Sequence, residues 1–185
     1  MQADFSYQHF LHEAKRLGYE DPVAKQGIAV VGWRNKQGRI NKFDCKIGVY
    51  LKGEDYELWA ASTYPGLHYM RNPLSAKGVA TLVPGQYVNA YSLGNYKGYM
   101  ALREEGLVSV FRDANKDDVR DAQYLDTGWF GIHIHRAGRF SSLVGNWSAG
   151  CQVFQKSDDF DTFIATCRKH CGLIANKFTY TLLEF

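Results

Sequence analysis

The chain has 185 residues, 45% of them apolar and 15% aromatic, which suits a single packed domain with its own core. A formal net charge of +3, with the basic residues scattered, argues against a nucleic-acid partner and favours at most an anionic surface such as a cell wall. No run of 18 apolar residues occurs, so no membrane-spanning helix and no membrane insertion are expected.

In chain order, residues 3–18 bring Phe5, Phe10, Ala14 and Leu17 towards one helical face. Gly18 supplies a stop and Asp21-Pro22 ends the segment. This predicts an N-terminal helical extension over residues 1–26, packed on a main domain over residues 27–185. The first 22 residues lack a basic start, an apolar core and a small-residue cleavage site, so no secretory signal is expected. From residue 27 the punctuation becomes that of strands. GIAVVGWRN, CKIGVYL and YELWAAST are separated by turns at Lys36-Gln37-Gly38 and Gly53-Glu54. A long loop marked by Pro65-Gly66 and Arg71-Asn72-Pro73 follows. VATLV, QYVNAYSL, YMALRE and LVSVF then read as further strands.

Asp113, Asn115, Asp117 and Asp121 have the 1-3-5-9 spacing of a calcium loop, but Asp118 stands where glycine is needed and Tyr124 where glutamate is needed. An Asx turn joining two strands is the preferred reading, and no metal is expected. Residues 157–172 predict a helix: Ser157 as cap, Asp158 and Asp159 at the positive end, Gly172 as stop. Phe160, Phe163, Ile164, Cys167 and Cys171 form its apolar stripe. Cys167 and Cys171 therefore read as small buried residues, and the four cysteines show no zinc spacing. FTYTLLEF closes the chain as a strand. The pattern is mainly β and largely antiparallel, with a strand near Phe130 to His135 late in the chain.

That strand opens the stretch richest in chemistry, GIHIHRAGRFSSLVGNWSAGCQV over residues 131–153. Cys151 follows Ser148, Ala149 and Gly150, and two histidines lie upstream. A thiol beside small residues, with an imidazole near it, suits nucleophilic acyl transfer. The imidazole removes the thiol proton, and backbone N–H groups of Gly150 and Cys151 are oxyanion donors. His133 and His135 share one strand face, so the face does not choose between them. Ser148 reads as a shaper of the turn or a partner of the thiolate. Trp147, Phe140 and Tyr87 are candidate groove walls. Arg136 and Arg139 are candidate carboxylate binders.

His135-Arg136, the loop with Ser141-Ser142-Leu143, and Ser148-Ala149-Gly150-Cys151 resemble the active-site signature of the L,D-transpeptidase catalytic domain (YkuD-type). That family has a histidine, a loop, then Ser/Thr-x-Gly-Cys. Gly131-Ile132-His133-Ile134 is similar to its histidine strand, and Pro84-Gly85-Gln86-Tyr87 is similar to its Pro-x-Gly-x-aromatic turn, one residue shorter. The resemblance covers about residues 28–185 and implies a β-sandwich with an N-terminal helix and one C-terminal-region helix. It implies Cys151 as nucleophile and leans to His135 as base: the separation of 16 agrees with short-loop members, whereas the 18 from His133 agrees with longer-loop ones. The family orients its histidine by a backbone carbonyl, which here implies that of Arg136. Ala149 stands where the family often has His or Lys, and Val153 where it usually has Arg or Asn. The marks are those of a divergent member.

The resulting expectation is a cysteine acyl-transfer enzyme on peptidoglycan stem peptides, either an L,D-transpeptidase or an L,D-carboxypeptidase or endopeptidase. Catalysis is assigned to Cys151, His135, Arg136 and Gly150, and substrate binding to His133, Ser148, Trp147, Arg139 and Tyr87. No cofactor is expected. The place of action is the bacterial periplasm or wall, reached by another route than a signal, from a phage, or as a mature form. Rival readings are a catalytically silent peptidoglycan-binding module, a lysis or effector protein on the same fold with an immunity or lysis partner, and an ordinary cysteine protease.

Overall fold

A computed structural model describes residues 3–53, 56–117, 124–171 and 175–185. The elements are α1 (Tyr7–Arg16), α2 (Pro22–Gln26), β1 (Ile28–Arg34), β2 (Cys45–Leu51), β3 (Glu57–Ser62) and α3 (Leu67–Arg71). They continue with β4 (Val79–Leu82), β5 (Gly85–Tyr96), β6 (Tyr99–Glu104), β7 (Val108–Asp113), β8 (Tyr124–Gly128) and β9 (Ile134–Arg136). The chain ends with β10 (Gln152–Phe154), α4 (Ser157–Cys171) and β11 (Phe178–Glu184). The fold is mainly β, as the alternating segments imply.

Eight strands close into a barrel in the order β1-β11-β5-β6-β9-β10-β3-β2, and β4-β7-β8 form a small antiparallel sheet. Of the β-sandwich that the resemblance implies, the mainly β character and the two sheets are present, and the main sheet closes into a barrel. The physical reason lies in pairings that alternation does not report. The last strand joins the first in parallel, Val30 opposite Tyr180, while β1 pairs antiparallel with β2 on its other side. Closure leaves no exposed sheet edge there. A second parallel pair, β9 with β10, accounts for the other departure from an antiparallel reading.

β1 is buried throughout, and apolar up to Arg34 at its end, because both its faces are covered. Ile28 and Val30 enter the barrel core, which also holds Phe154, Phe160, Phe163 and Tyr180. Ala29, Val31 and Trp33 meet Phe10 and Ala14 of α1 and Val23 of α2. Ser6 caps α1 by accepting from the His9 N–H. Asp21-Pro22, read from sequence as a terminator, starts α2 instead: Asp21 accepts from the Val23 N–H and Pro22 takes the first turn.

α4 spans the expected segment, with Cys167 in the core and Cys171 packed beside it, both as free thiols. Ser157 lies inside its first turn rather than before it, and its hydroxyl meets Asp158. The stop expected at Gly172 lies outside the described residues. So do Glu54 of the second turn and Asp118 and Asp121 of the aspartate-rich loop, where Asp117 N–H donates to Asn115 Oδ1 in an Asx turn. Sequence patterning missed α3 and the three-residue β10.

The barrel and the small sheet are joined by a buried cation. Arg34, 2% exposed, leaves the end of β1 and donates to Thr63 Oγ1 and O and to Leu82 O at 2.7–3.0 Å. Its guanidinium stacks 4.6 Å from the Tyr64 ring centre. Arg34→Met strands these acceptors in a dry site. We expect a loss of about 3 kcal/mol and a Tm lower by about 6–12 °C in thermal denaturation; an unchanged Tm would show that the clasp contributes nothing.

Candidate active site

The parallel pair β9–β10 sets Val153 opposite His135 and Gln152 opposite Ile134, and the Gln152 N–H donates to His133 O at 2.9 Å. That register puts His135 and Val153 on one face, while Ile134 and Phe154 enter the core. His133 and Cys151 lie just before the two strands, and Cys151 packs against Val153. The connecting loop is pinned by Asn41, which accepts from Gly145 N–H through its side chain and from Val144 N–H through its carbonyl. Ser148, fully buried, shapes the turn before the cysteine: its hydroxyl donates to Cys151 O at 2.7 Å and accepts from Gly150 N–H at 3.1 Å.

The two histidines hold different tautomers. His135 Nδ1 lies 2.9 Å from the Arg136 carbonyl, which can only accept, so Nδ1 carries the proton. Nε2 is then a bare lone pair, and it is buried without a hydrogen-bond partner. His133 Nδ1 accepts from the Glu104 backbone N–H at 3.1 Å, so its proton sits on Nε2. The Tyr96 ring leans on both imidazoles, 4.9 Å from His135 and 5.0 Å from His133 between centres. Burial is the main reason that the His135 pKa falls to about 4; the bond to the Arg136 carbonyl opposes it.

The Cys151 thiol donates to the Gly131 carbonyl at 3.3 Å. Burial pushes its pKa up to about 11, against the pull of the His133 amide and the Lys97 charge. Burial thus favours the neutral form of both groups. Cys151 packs with Val153, Ala137 and Phe43 in a small apolar cluster, so the residue two past the cysteine serves packing.

Glu104 positions this arrangement, and sequence reading missed it. Its carboxylate accepts from Phe130 N–H at 2.9 Å and Ile132 N–H at 2.5 Å. Burial raises its pKa, and these amides oppose that rise. The sequence shows only that Glu104 opens the Glu104-Glu105 pair at the end of the strand pattern YMALRE.

A cleft of about 400 Å³ opens over Cys151. Tyr69, Tyr96, Trp129, Phe130 and Trp147 supply its aromatic walls, and Lys97, Arg112 and Asn146 its polar groups. Trp147 stands where it was expected. The other expected contributors do not line this cleft. Tyr87 is a structural strut whose hydroxyl donates to Val83 O at 2.6 Å. Arg139 is exposed on the loop and offers its carbonyl to Ser157 N–H. Phe140 is 60% exposed and bridges to Lys156. The Arg136 side chain stacks 4.6 Å from the Tyr99 ring centre and faces a separate cleft beside α4. Gly150 is required for a different reason than expected. Its φ is 137°, and a Cβ there would lie 2.7 Å from the Ile132 side chain and 2.8 Å from Ala80 O, so the close approach is to protein. Its N–H donates to the Ser148 hydroxyl, so of the two amides expected as oxyanion donors this one is engaged within the protein.

No protein-family model, no curated protein and no solved structure matches this chain.

Two outcomes follow from the buried groups. Because the folded His135 pKa lies below the ordinary 6.5, its contribution to stability is fully present above pH 6.5 and is lost as pH falls through about 4. The change is about 3 kcal/mol. Urea unfolding of the wild type between pH 7 and 4 should show it, and His135→Gln should flatten the curve by that amount. Glu104→Gln exchanges one acceptor oxygen for a donor that faces an amide N–H. A stability loss of about 1–3 kcal/mol is expected in the same assay, and an unchanged midpoint would remove Glu104 from its positioning role.

Proposed function

We propose that the protein is a cysteine acyl-transfer enzyme acting on peptidoglycan stem peptides, an L,D-transpeptidase-like transferase or peptidase. On this reading the barrel with its small sheet is a divergent form of that family's fold. The observation that carries it is the His135 tautomer: Nδ1–H tied to the Arg136 carbonyl, Nε2 bare, buried and unpartnered, with His135 opposite the Val153 against which Cys151 packs at the floor of a cleft.

In this mechanism the thiol leaves the Gly131 carbonyl and gives its proton to His135 Nε2 as sulfur bonds to the substrate carbonyl carbon. Transfer is coupled to attack, because a thiol near 11 and an imidazole near 4 do not form a standing ion pair. The Cys151 N–H stabilises the oxyanion. The C–N bond then breaks, and the protonated His135 hands its proton to the departing amine. The acyl-enzyme passes to an amine, giving exchange or a cross-link, or to water, giving hydrolysis. The aromatic walls, Trp147 among them, bind the stem peptide. The place of action is the bacterial wall, in a lysis, effector or remodelling role.

One observation favours a second reading, a silent wall-binding module on the same fold. The thiol rests protonated and engaged by Gly131 O, and an apolar cluster holds Val153.

Whole-protein mass spectrometry after exposure to a carbapenem discriminates between the two. One adduct on wild type, none on Cys151→Ala, and acylation slowed by about 10²–10⁴ in His135→Gln are expected. Muropeptides incubated with wild type should change in mass. No adduct and no turnover, with sacculus binding that survives Cys151→Ala, would establish the silent module instead.

A further inference from the structure

The β5–β6 hairpin turns through Lys97 and Gly98, with φ of 51° and 90°, between the paired residues Tyr96 and Tyr99. Two central residues with positive φ make the tight turn that matches strand twist. The Gly98 N–H donates to Asn95 Oδ1 at 3.2 Å and fastens it further. Its two tyrosines are anchored in turn, Tyr96 against the imidazoles and Tyr99 against Phe160. The tip carries Lys97 to the rim of the Cys151 cleft, with Nζ 5.2 Å from the Tyr96 ring centre.

The charged side chains that line the cleft are cationic, while Glu104 and Glu105 act on Cys151 and His133 from outside its lining. No Asp or Glu is among the described residues that line it. Arg112 also lines it, but Arg112 is 8% exposed and its Nε is bound 3.2 Å from Asp126. Lys97 is exposed, and its charge reaches Cys151, His133 and His135. A cation on a tight turn beside exposed tryptophan faces fits a ligand that is part apolar chain and part carboxylate.

We propose that Lys97 selects the substrate by its charge, binding a carboxylate close to the amide that Cys151 attacks. The substrate class is then an acidic peptide with a free carboxylate beside the cleaved bond. The inference rests on acyl transfer at Cys151, but its test does not.

The test compares alkylation of Cys151 by iodoacetate and by iodoacetamide, followed by peptide mass spectrometry. Both reagents form the same C–S bond and expel iodide; they differ in charge. The ratio of their rates cancels the thiolate fraction, so any effect of Lys97 on the thiol pKa drops out. Against a free cysteine peptide, Cys151 should favour iodoacetate. Lys97→Asn keeps a residue suited to the turn and should lower that preference about fivefold. Lys97→Arg should restore it, and 0.5 M NaCl should erase most of the difference. A ratio equal in wild type and Lys97→Asn overturns the proposal. In Cys151→Ala protein, calorimetry with an acidic stem-type peptide and its C-terminal amide should show Lys97→Asn weakening the acid alone; equal weakening of both also overturns it. If the alkylation ratio depends on Lys97 while carbapenem and muropeptides leave the protein unchanged, the acyl-transfer reading fails and anion selection stands. Acylation with an unmoved ratio gives the reverse.

Discussion

The site depends on the Glu104 carboxylate. β6 and β9 share a single paired position, Leu102 with Ile134, although they are neighbours in the barrel. Beyond it, the Glu104 side chain takes the Phe130 and Ile132 N–H groups, and its backbone N–H goes to His133 Nδ1. A side chain thus replaces the ladder, and the barrel wall opens there without leaving amides unpaired. There the Gly131 carbonyl accepts from both the His133 N–H and the thiol, and the Glu104 N–H sets the His133 tautomer. A charge buried for this purpose is tolerated because amides surround it.

The same burial sets the protonation of the pair. A thiolate and an imidazolium both lose hydration in this pocket, so the thiol is pushed up and the imidazole down. The neutral forms are what a dry floor favours before substrate arrives. His135 keeps its orientation through the Arg136 carbonyl, a neutral partner that fixes the tautomer without adding charge. Tyr96 covers both imidazoles and also forms part of the cleft wall, so access and protonation are controlled at one place.

The cleft itself is assembled from distant segments. The small sheet contributes Val79 and Ala80, the segment after β8 contributes Trp129 and Phe130, the hairpin contributes Lys97, and the pinned loop contributes Trp147. The Arg34 clasp holds the two sheets at this junction, through Leu82 at the end of β4. Gly150 fits between Ile132 and Ala80, so the cysteine turn is wedged against both sheets.

Much of this was legible in the chain alone. Apolar alternation located most of the strands, the stripe from Phe160 to Cys171 located α4, and the small-residue turn before Cys151 marked the thiol. These are local signals, in which a side chain's period or its nearest neighbours carry the information. Closure of the barrel, the parallel pairs, α2 beginning at Pro22, and the placement of Tyr87, Arg139 and the Arg136 side chain away from the cleft were not legible. The Arg136 carbonyl beside His135 was expected from the resemblance, but the Glu104 N–H beside His133 and the deeper burial of His135 were not. The sequence by itself determined a mainly β domain with a cysteine in a tight turn downstream of two histidines. Only the tertiary structure decided which imidazole keeps a bare nitrogen and which cation faces the cleft, because tautomer and access depend on partners far away in the chain.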